Sequence, residues 1–157
     1  MSAIFLSASV PVAGRRRYDK TPDARAIQFA VRKLFVAVIE HKRIVLGGHP
    51  TITPMIWAIC KELNIKYAQS VVLYQSRFFQ PEFPEENKNF ANVVLVDAVP
   101  GDREASLLRL REAMVSREDL TGAAFIGGME GVEAECALFK RFHPNVTRFD
   151  GYLNYPG

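Results

Sequence analysis

The sequence predicts an α/β fold, a Rossmann-like three-layer sandwich with a mostly parallel central sheet. Short apolar runs without polar alternation are typical of strands buried on both faces of a parallel sheet. Segments of roughly 10–20 residues with helical periodicity separate these runs, as expected for strands joined by helical crossovers. The chain has 157 residues, of which 48% are hydrophobic, and this is enough for one core. We therefore expect a single domain over residues 1–157.

The predicted strands are apolar runs that end close to glycine, proline or polar residues. The first run ends at serine and alanine before Pro11, and the second ends in the pair Gly47-Gly48. The later runs are rich in valine, leucine, alanine and phenylalanine. Strands are expected at residues 4–9, 44–48, 71–75, 93–97 and 123–126, with a last one at 145–152.

Helix starts are indicated by capping residues that precede apolar positions at helical spacing. Thr21, Pro22 and Asp23 combine a cap, a proline suited to the first helical position and a charge that the helix dipole favours. Thr53 and Pro54 repeat the cap and the proline. Helices are expected at residues 21–38, 53–63, 103–116 and 132–142. Residues 78–90 contain two prolines and no period, which predicts a loop.

Charge and hydropathy exclude several classes of protein. The chain has 20 basic and 17 acidic residues, a net charge of +3, whereas nucleic-acid binders usually have a stronger basic bias. No apolar run approaches the ~20 residues that span a bilayer. No basic segment precedes the apolar N-terminus, as it would in a signal peptide. We expect a cytoplasmic protein that binds neither membrane nor nucleic acid.

The cysteines and histidines do not form a recognisable reactive or metal-binding pattern. Cys60 and Cys136 fall in predicted helices, so we expect buried, reduced thiols. With the three histidines they show no metal-ligand spacing, and no metal or cofactor is expected. His143 precedes a proline at a helix end, where a capping role is the simplest interpretation.

Two predicted strands end in a glycine pair that a helix follows. The pairs are Gly47-Gly48 and Gly127-Gly128. Glycine allows a sharp turn and close approach of a ligand to the main chain, and the helix start offers unpaired N–H groups. Because such turns lie at the carboxyl edge of a parallel sheet, they are candidate phosphate-binding turns. Simple turn geometry is the alternative.

Polar side chains close to these turns complete the candidate site. Ser7 and Ser9 end the first strand, where hydroxyls can bind a ribose or a phosphate or can be buried strand-end serines. His49 and Thr51 belong to the first glycine turn, with a loop role for His49 as the alternative. The arginines at 15–17 are interpreted as a solvated loop, although they could reach a phosphate at the rim.

The helix after the second glycine turn and the helix before it carry charged candidates. Glu133 and Glu135 follow the glycines, and one of them is a candidate to face the cleft. The alternative is that they are acidic residues at a helix start, where the dipole favours them. Arg109 and Arg111 point in different directions from one helix, so at most one of them faces the site.

The segments 7–11, 47–54 and 126–131 together resemble the SLOG superfamily. Their sequences are Ser-Ala-Ser-Val-Pro, Gly-Gly-His-Pro-Thr-Ile-Thr-Pro and Ile-Gly-Gly-Met-Glu-Gly. The superfamily includes the LOG phosphoribohydrolases, formerly called lysine-decarboxylase-like proteins, and nucleotide-sensing domains. The resemblance covers about residues 4–149 and is greatest to the bacterial branch linked to conflict systems, which implies a role in antiviral defence.

The resemblance assigns roles to single residues through the LOG motif Pro-Gly-Gly-x-Gly-Thr-x-x-Glu. Gly127 and Gly128 match its glycine pair, Gly131 its third glycine and Glu135 its glutamate. Arg111, or Arg109 as the alternative, matches the helix arginine that the enzymes pair with that glutamate beside the N-glycosidic bond of a nucleoside monophosphate.

The chain departs from the LOG motif in three ways. Ile126 replaces the proline, Val132 replaces the phosphate-holding threonine, and one residue is inserted within Met129-Glu130. A valine cannot donate a hydrogen bond, so these changes weaken the case for hydrolysis more than the case for nucleotide binding.

The leading hypothesis is a SLOG-type sensor domain that binds a nucleotide-derived ligand, and the resemblance implies the class of NAD or ADP-ribose. A phosphoribohydrolase with Arg111 and Glu135 as catalytic residues is the second hypothesis, and a non-catalytic oligomerisation module is the third. The expected ligand-binding residues are Ser7, Ser9, Gly47, Gly48, His49, Thr51, Arg111, Gly127, Gly128, Met129, Glu130 and Gly131.

The expected partners are a second copy of the chain and an effector protein. The helices at 53–63 and 105–114 carry apolar residues on more than one face, which favours a two-fold homodimer. Burial of these helices under residues 78–90 is the alternative. Trp57 is expected in the core or an interface rather than as a stacking platform. The resemblance also implies a closing C-terminal helix, which this sequence is expected to lack.

Overall fold

The computed structural model describes residues 1–10, 24–127 and 130–150. The strands are β1 (Ala3–Ala8), β2 (Arg43–Gly47), β3 (Val71–Ser76), β4 (Asn92–Val96), β5 (Leu120–Ile126) and β6 (Arg148–Asp150). They form one six-stranded sheet in the order β4-β3-β2-β1-β5-β6, and every neighbouring pair is parallel. The α/β, Rossmann-like prediction is confirmed, and the sheet is wholly rather than mostly parallel.

Helices cover both faces of the sheet. They are α1 (Ala24–Val38), α2 (Thr53–Leu63), α3 (Arg103–Val115) and α4 (Glu130–Phe142). Buried residues of α1 and α2 pack into one apolar cluster, and those of α3 and α4 pack into the cluster on the opposite face. The chain therefore forms three layers, with the sheet between two pairs of helices.

Alternate side chains of each strand supply the two cores. In β1, Leu6 faces α1 and α2, whereas Phe5 faces α3 and α4. Phe5 stacks on Phe139 with ring centroids 6.0 Å apart, and Phe125 meets both rings edge-on at 5.8 Å. Both faces of the four central strands, β3, β2, β1 and β5, are largely buried, which explains why these strands are continuous apolar runs.

The predicted loop at residues 78–90 contains local helical structure. Short 3₁₀ helices occupy Arg77–Glu82 and Glu85–Asn89. Phe90 is 5% exposed and meets Trp57 of α2 edge-on, with ring centroids 6.0 Å apart. Trp57 thus packs against the core, and the apolar surplus of α2 is covered largely by the chain itself.

The ends of several elements differ from the prediction. Thr53 is the first residue of α2 and not its cap; the cap position is Ile52, which makes no side-chain capping bond. The Thr53 hydroxyl instead accepts a hydrogen bond from the His49 N–H at 3.0 Å. α4 begins at Glu130, two residues earlier than expected, and β6 is shorter than expected. The helix start predicted at residues 21–23 lies outside the described residues.

β1 lies where the direction of strand order changes. From β1 the chain passes through α1 to β2 and continues outward to β4, and α3 then returns it to β5 on the other side of β1. In open parallel sheets, ligands bind outside the carboxyl ends of the strands at such a switch point. Among the residues described, no helix is long and apolar enough to cross a membrane.

Candidate functional site

A cleft of about 430 Å³ opens at the carboxyl ends of β1 and β2. Parts of α3 and the first two turns of α4 form its other walls. The predicted site residues that line it are Ser7, Ser9, Gly47, Gly48, His49, Thr51, Arg111, Glu130, Gly131 and Glu135. Gly127 lies behind Ser9 without lining the cleft, and Gly128 and Met129 are outside the described residues.

A carboxylate at the floor of the cleft joins three elements of the fold. Glu135 of α4 accepts a hydrogen bond from the Ser7 hydroxyl of β1, with Oγ 2.7 Å from Oε1. Its other oxygen, Oε2, lies 3.4 Å from Nε of Arg111 on α3. Both oxygens of Glu135 are therefore engaged by the protein, one by a hydroxyl and one by a guanidinium.

The surroundings of Glu135 have opposite effects on the pKa of its carboxyl group. Burial raises the pKa of the Glu135 carboxyl above its ordinary value, because the ionised form loses its hydration. The Ser7 hydrogen bond and the Arg111 charge both lower that pKa, but burial has the larger effect. A carboxyl with a raised pKa in a cleft is a common property of functional sites, although ion pairs with a structural role also produce it.

The structure distinguishes between the candidate arginines and between the candidate glutamates. Arg111 lines the cleft with its side chain 20% exposed. Arg109 points away from it and donates to the Ala98 carbonyl at 3.3 Å. Glu133 is exposed on α4 outside the cleft, whereas Glu135 lies at its floor. The ligand-binding role of Arg111 and the catalytic roles of Arg111 and Glu135 remain predictions.

The first glycine turn is shaped by its neighbours in the fold. A Cβ on Gly48 would overlap the side-chain amide of Gln75, a buried residue of β3. A larger residue at position 48 would therefore force the Gln75 side chain to move, whether or not a ligand is present. In the same turn, the Thr51 N–H donates to Nδ1 of His49 at 3.1 Å, which favours the tautomer with the proton on Nε2.

The second glycine turn places backbone against β1 and α3. Gly127 has a φ of +94°, and a Cβ there would lie 2.5 Å from the Ser9 carbonyl oxygen. A Cβ on Gly131 would lie 3.3 Å from Nη2 of Arg111. Glycine at 131 therefore leaves room for the guanidinium that pairs with Glu135.

A profile of the SLOG cluster3 family matches residues 17–149 of the chain. The chain belongs to the SLOG cluster3 family. Neither the curated proteins nor the solved structures include a match to it. The matched segment contains Arg111 and Glu135 and begins after β1, so Ser7 lies outside it. Membership of a SLOG family is consistent with binding or processing of a nucleotide-related ligand.

Sequence reasoning missed the part of the SLOG cluster3 cleft that the start of α3 provides. Arg103, Glu104 and Leu107 line the cleft. The guanidinium of Arg103 lies 5.5 Å from the centroid of the Phe79 ring. The available signal was that α3 follows β4, so its first turn begins at the same edge of the parallel sheet as the glycine turns.

A second cavity of about 340 Å³ lies at the amino-terminal edge of β3 and β4, beside Arg43 and Arg117. Arg117 already forms two contacts with Asp119, at 2.9 Å and 2.6 Å, and donates to the Tyr74 hydroxyl at 3.0 Å. The hydrogen bonds from Arg117 to Asp119 and Tyr74 raise the pKa of Arg117. The hydrogen bond from Arg117 also lowers the pKa of Asp119. We interpret this group as structural because its charge is satisfied internally.

The described part of this SLOG cluster3 chain shows no cluster of metal-ligating side chains, and both of its cysteines are buried. No group of three or more His, Cys, Asp or Glu residues there could hold a metal ion. Cys60 and Cys136 are free and buried. Burial raises the pKa of the Cys60 thiol to about 11, so it is protonated at neutral pH and a poor nucleophile.

Proposed function

We propose that this SLOG cluster3 chain is a sensor domain that binds a nucleotide-derived ligand of the NAD or ADP-ribose class in the cleft. The observation that carries the proposal is the meeting of Ser7, Arg111 and Glu135 at the floor of a cleft beside the strand-order switch. Its volume, about 430 Å³, lies within the range of small-molecule sites, about 300–1,000 Å³.

The cleft walls offer contacts suited to both parts of a nucleotide. The backbone at the start of α4 presents N–H groups and the positive end of the helix dipole, which favour a phosphate. The Ser7 and Glu135 oxygens at the floor can exchange hydrogen bonds with sugar hydroxyls. Side chains such as Leu107 and Ile52 supply apolar surface for the rest of the ligand.

Two features favour binding over cleavage. Val132 of α4, which replaces the threonine of the LOG motif, is 2% exposed and belongs to the apolar core between the sheet and the helices α3 and α4. It cannot help to hold a phosphate. The Ser7 hydroxyl and the Arg111 guanidinium each occupy one oxygen of Glu135, so part of the accepting capacity of the carboxylate is already used within the protein.

The phosphoribohydrolase alternative is kept because of the Arg111–Glu135 pair, whose atoms lie 3.4 Å apart. In that reaction the N-glycosidic bond of a nucleoside monophosphate breaks, the base leaves with the bonding electron pair and takes up a proton, and the oxygen of water joins the sugar carbon as a hydroxyl. Glu135 would stabilise the positive charge that develops on the sugar, and Arg111 would orient the substrate. Incubation with adenosine monophosphate, followed by chromatography for free adenine, tests this alternative. Adenine release that Glu135→Gln abolishes would support it.

A thermal-shift assay with adenosine, adenosine monophosphate, NAD and ADP-ribose tests the binding proposal. A ligand at one hundred times its Kd stabilises the native state by about 2.7 kcal/mol. For a chain of this length, that corresponds to a Tm increase of roughly 5–11 °C. Arg111→Met should abolish the shift relative to its own ligand-free Tm. Arg77→Met, in an exposed arginine paired with Asp97 outside the cleft, should retain it.

The absence of any shift with all four compounds would contradict the proposed ligand class. A shift of equal size in Arg111→Met would place binding elsewhere on the chain.

We further propose that the sensor acts in the cytoplasm as a homodimer that reports the signal to an effector protein in antiviral defence, as the resemblance to the conflict-linked SLOG branch implies.

A further inference from the structure

An arginine at the cleft rim is held by two neighbours from different elements. Arg103 is the first residue of α3 and lines the cleft, with its side chain 61% exposed. Its guanidinium lies over the Phe79 ring, 5.5 Å from the centroid. Its Nη1 also lies 3.0 Å from Oε1 of Glu104. The arginine therefore has a preferred position at the rim, although most of its surface faces solvent.

The position of Arg103 is unfavourable for helix stability. A cation in the first turn of a helix faces the positive end of the dipole, which disfavours it. Asp102 already caps this end by accepting a hydrogen bond from the Ala105 N–H at 2.9 Å. The capping of α3 is thus satisfied without the arginine, which leaves its location in the cleft as the feature to be explained.

The charges of the cleft differ between floor and rim. Arg111 at the floor lies 3.4 Å from Glu135 and is 20% exposed, so its charge is largely balanced. Among the described residues, Arg103 forms an ion pair with Glu104, whose side chain is 80% exposed. An exposed ion pair is weak, because water and salt screen it. A ligand phosphate can therefore replace Glu104 as the partner of Arg103 more readily than it can displace Glu135 from Arg111.

We propose that Arg103 binds a second ligand phosphate at the rim, in addition to the phosphate that the start of α4 would hold, so that the cleft favours ligands with a diphosphate over those with a single phosphate. This inference rests on the proposed nucleotide-binding function. The phosphate exchanges with Glu104, and the guanidinium offers it two parallel N–H donors. Phe79 is a positioning residue that supports the guanidinium through its ring face.

The test measures affinity by titration calorimetry for adenosine, adenosine monophosphate, adenosine diphosphate and ADP-ribose. Arg103→Ala and Arg103→Gln should each weaken binding of the two diphosphate ligands about tenfold or more. Their affinity for adenosine should be unchanged. The matched control is Arg77→Ala, which also removes an exposed, ion-paired arginine but lies outside the cleft. It should leave all four affinities unchanged.

Two further substitutions separate a direct contact from a general effect of charge. Glu104→Gln removes the competitor and should tighten diphosphate binding, whereas Glu62→Gln, in an exposed glutamate paired with Arg32 on α1, should not. Phe79→Leu should weaken diphosphate binding about two- to fivefold. Phe79→Tyr keeps the aromatic ring, so its affinity for the diphosphate ligands should equal that of the wild type.

The outcomes distinguish this inference from the proposed function. If the wild-type protein binds ADP-ribose and both Arg103 variants bind it with the same affinity, Arg103 has no role in binding, while the proposed function stands. An equal loss for adenosine and ADP-ribose would show that Arg103 supports the fold of the cleft rather than a phosphate. If the wild-type protein binds none of the four compounds, this inference is wrong, and the proposed function fails as well when NAD also gives no thermal shift.

Discussion

The hydrogen bond between Ser7 and Glu135 should stabilise the native state measurably. Ser7→Ala removes the hydroxyl that donates to Oε1 of Glu135 at 2.7 Å. Ser7 is 2% exposed, so water cannot easily take its place. Because the substitution is nearly isosteric, we expect little contribution from a cavity. The loss should come almost entirely from the acceptor left without its donor.

The expected magnitude follows from the charge of the acceptor. A hydrogen bond to a charged group contributes about 1.5–3 kcal/mol to the free energy of unfolding. For a chain of this length, that loss lowers the Tm by roughly 3–12 °C. The hydroxyl lowers the pKa of Glu135, which means that it favours the ionised carboxylate. The loss in Ser7→Ala should therefore be larger at pH 8 than at pH 4.

Urea unfolding followed by circular dichroism at the two pH values measures these losses. A double-mutant cycle with Glu135→Gln isolates the charged part of the interaction. In the Glu135→Gln background, Ser7→Ala should cost only the roughly 0.5–1.5 kcal/mol of a neutral hydrogen bond. A cost that is identical in both backgrounds, or that decreases with increasing pH, would refute the proposed contact with an ionised carboxylate.

Three further predictions concern the same fold and site. Because burial raises the pKa of Glu135 above 4.5, the folded protein binds that proton more tightly than the unfolded chain. As the pH rises from about 4.5 through the raised pKa, the free energy of unfolding of the wild type should therefore fall relative to that of Glu135→Gln. Urea unfolding at a series of pH values measures both, and a relative gain for the wild type would contradict this. Gly48→Ala should cost about 1–3 kcal/mol, since its Cβ overlaps Gln75, whereas Gly47→Ala makes ordinary contacts and should stay within about 0.5 kcal/mol; equal losses would argue against the overlap. Light scattering should give a dimer, because the fold leaves Leu108 of α3 50% exposed and a two-fold contact through α3 would cover it; a mass near 17.6 kDa would exclude the dimer.

Local sequence was enough to predict the secondary structure around the cleft. Strand and helix positions depend on apolar periodicity and on turn residues, which act over a few neighbouring positions. The continuous apolar strands also indicated a parallel sheet, because only strands covered on both faces can be apolar on both. A parallel sheet places the ends of its strands at one edge. This brought the glycine turns, Ser7 and Ser9 into the predicted site.

Some local predictions failed where long-range packing decides the outcome. Thr53 was expected to cap α2, but its hydroxyl accepts the His49 N–H and the helix begins one residue earlier than a cap at 53 requires. The prolines in residues 78–90 suggested a loop, yet Phe90 packs against Trp57 and the chain forms 3₁₀ helices there. Propensity is weak compared with burial of a large aromatic side chain.

The sequence by itself determined the α/β class and the glycine turns, and it narrowed the cleft carboxylate to Glu133 or Glu135, of which the resemblance to the LOG motif favours Glu135. Only the tertiary structure decided which partners meet at the floor of the cleft. Ser7 and Glu135 are separated by 128 positions, and the placement of α3 brings Arg111 to Glu135 while Arg109 reaches the Ala98 carbonyl. Such contacts depend on the relative placement of whole elements, which the packing of two cores sets and which no local pattern records.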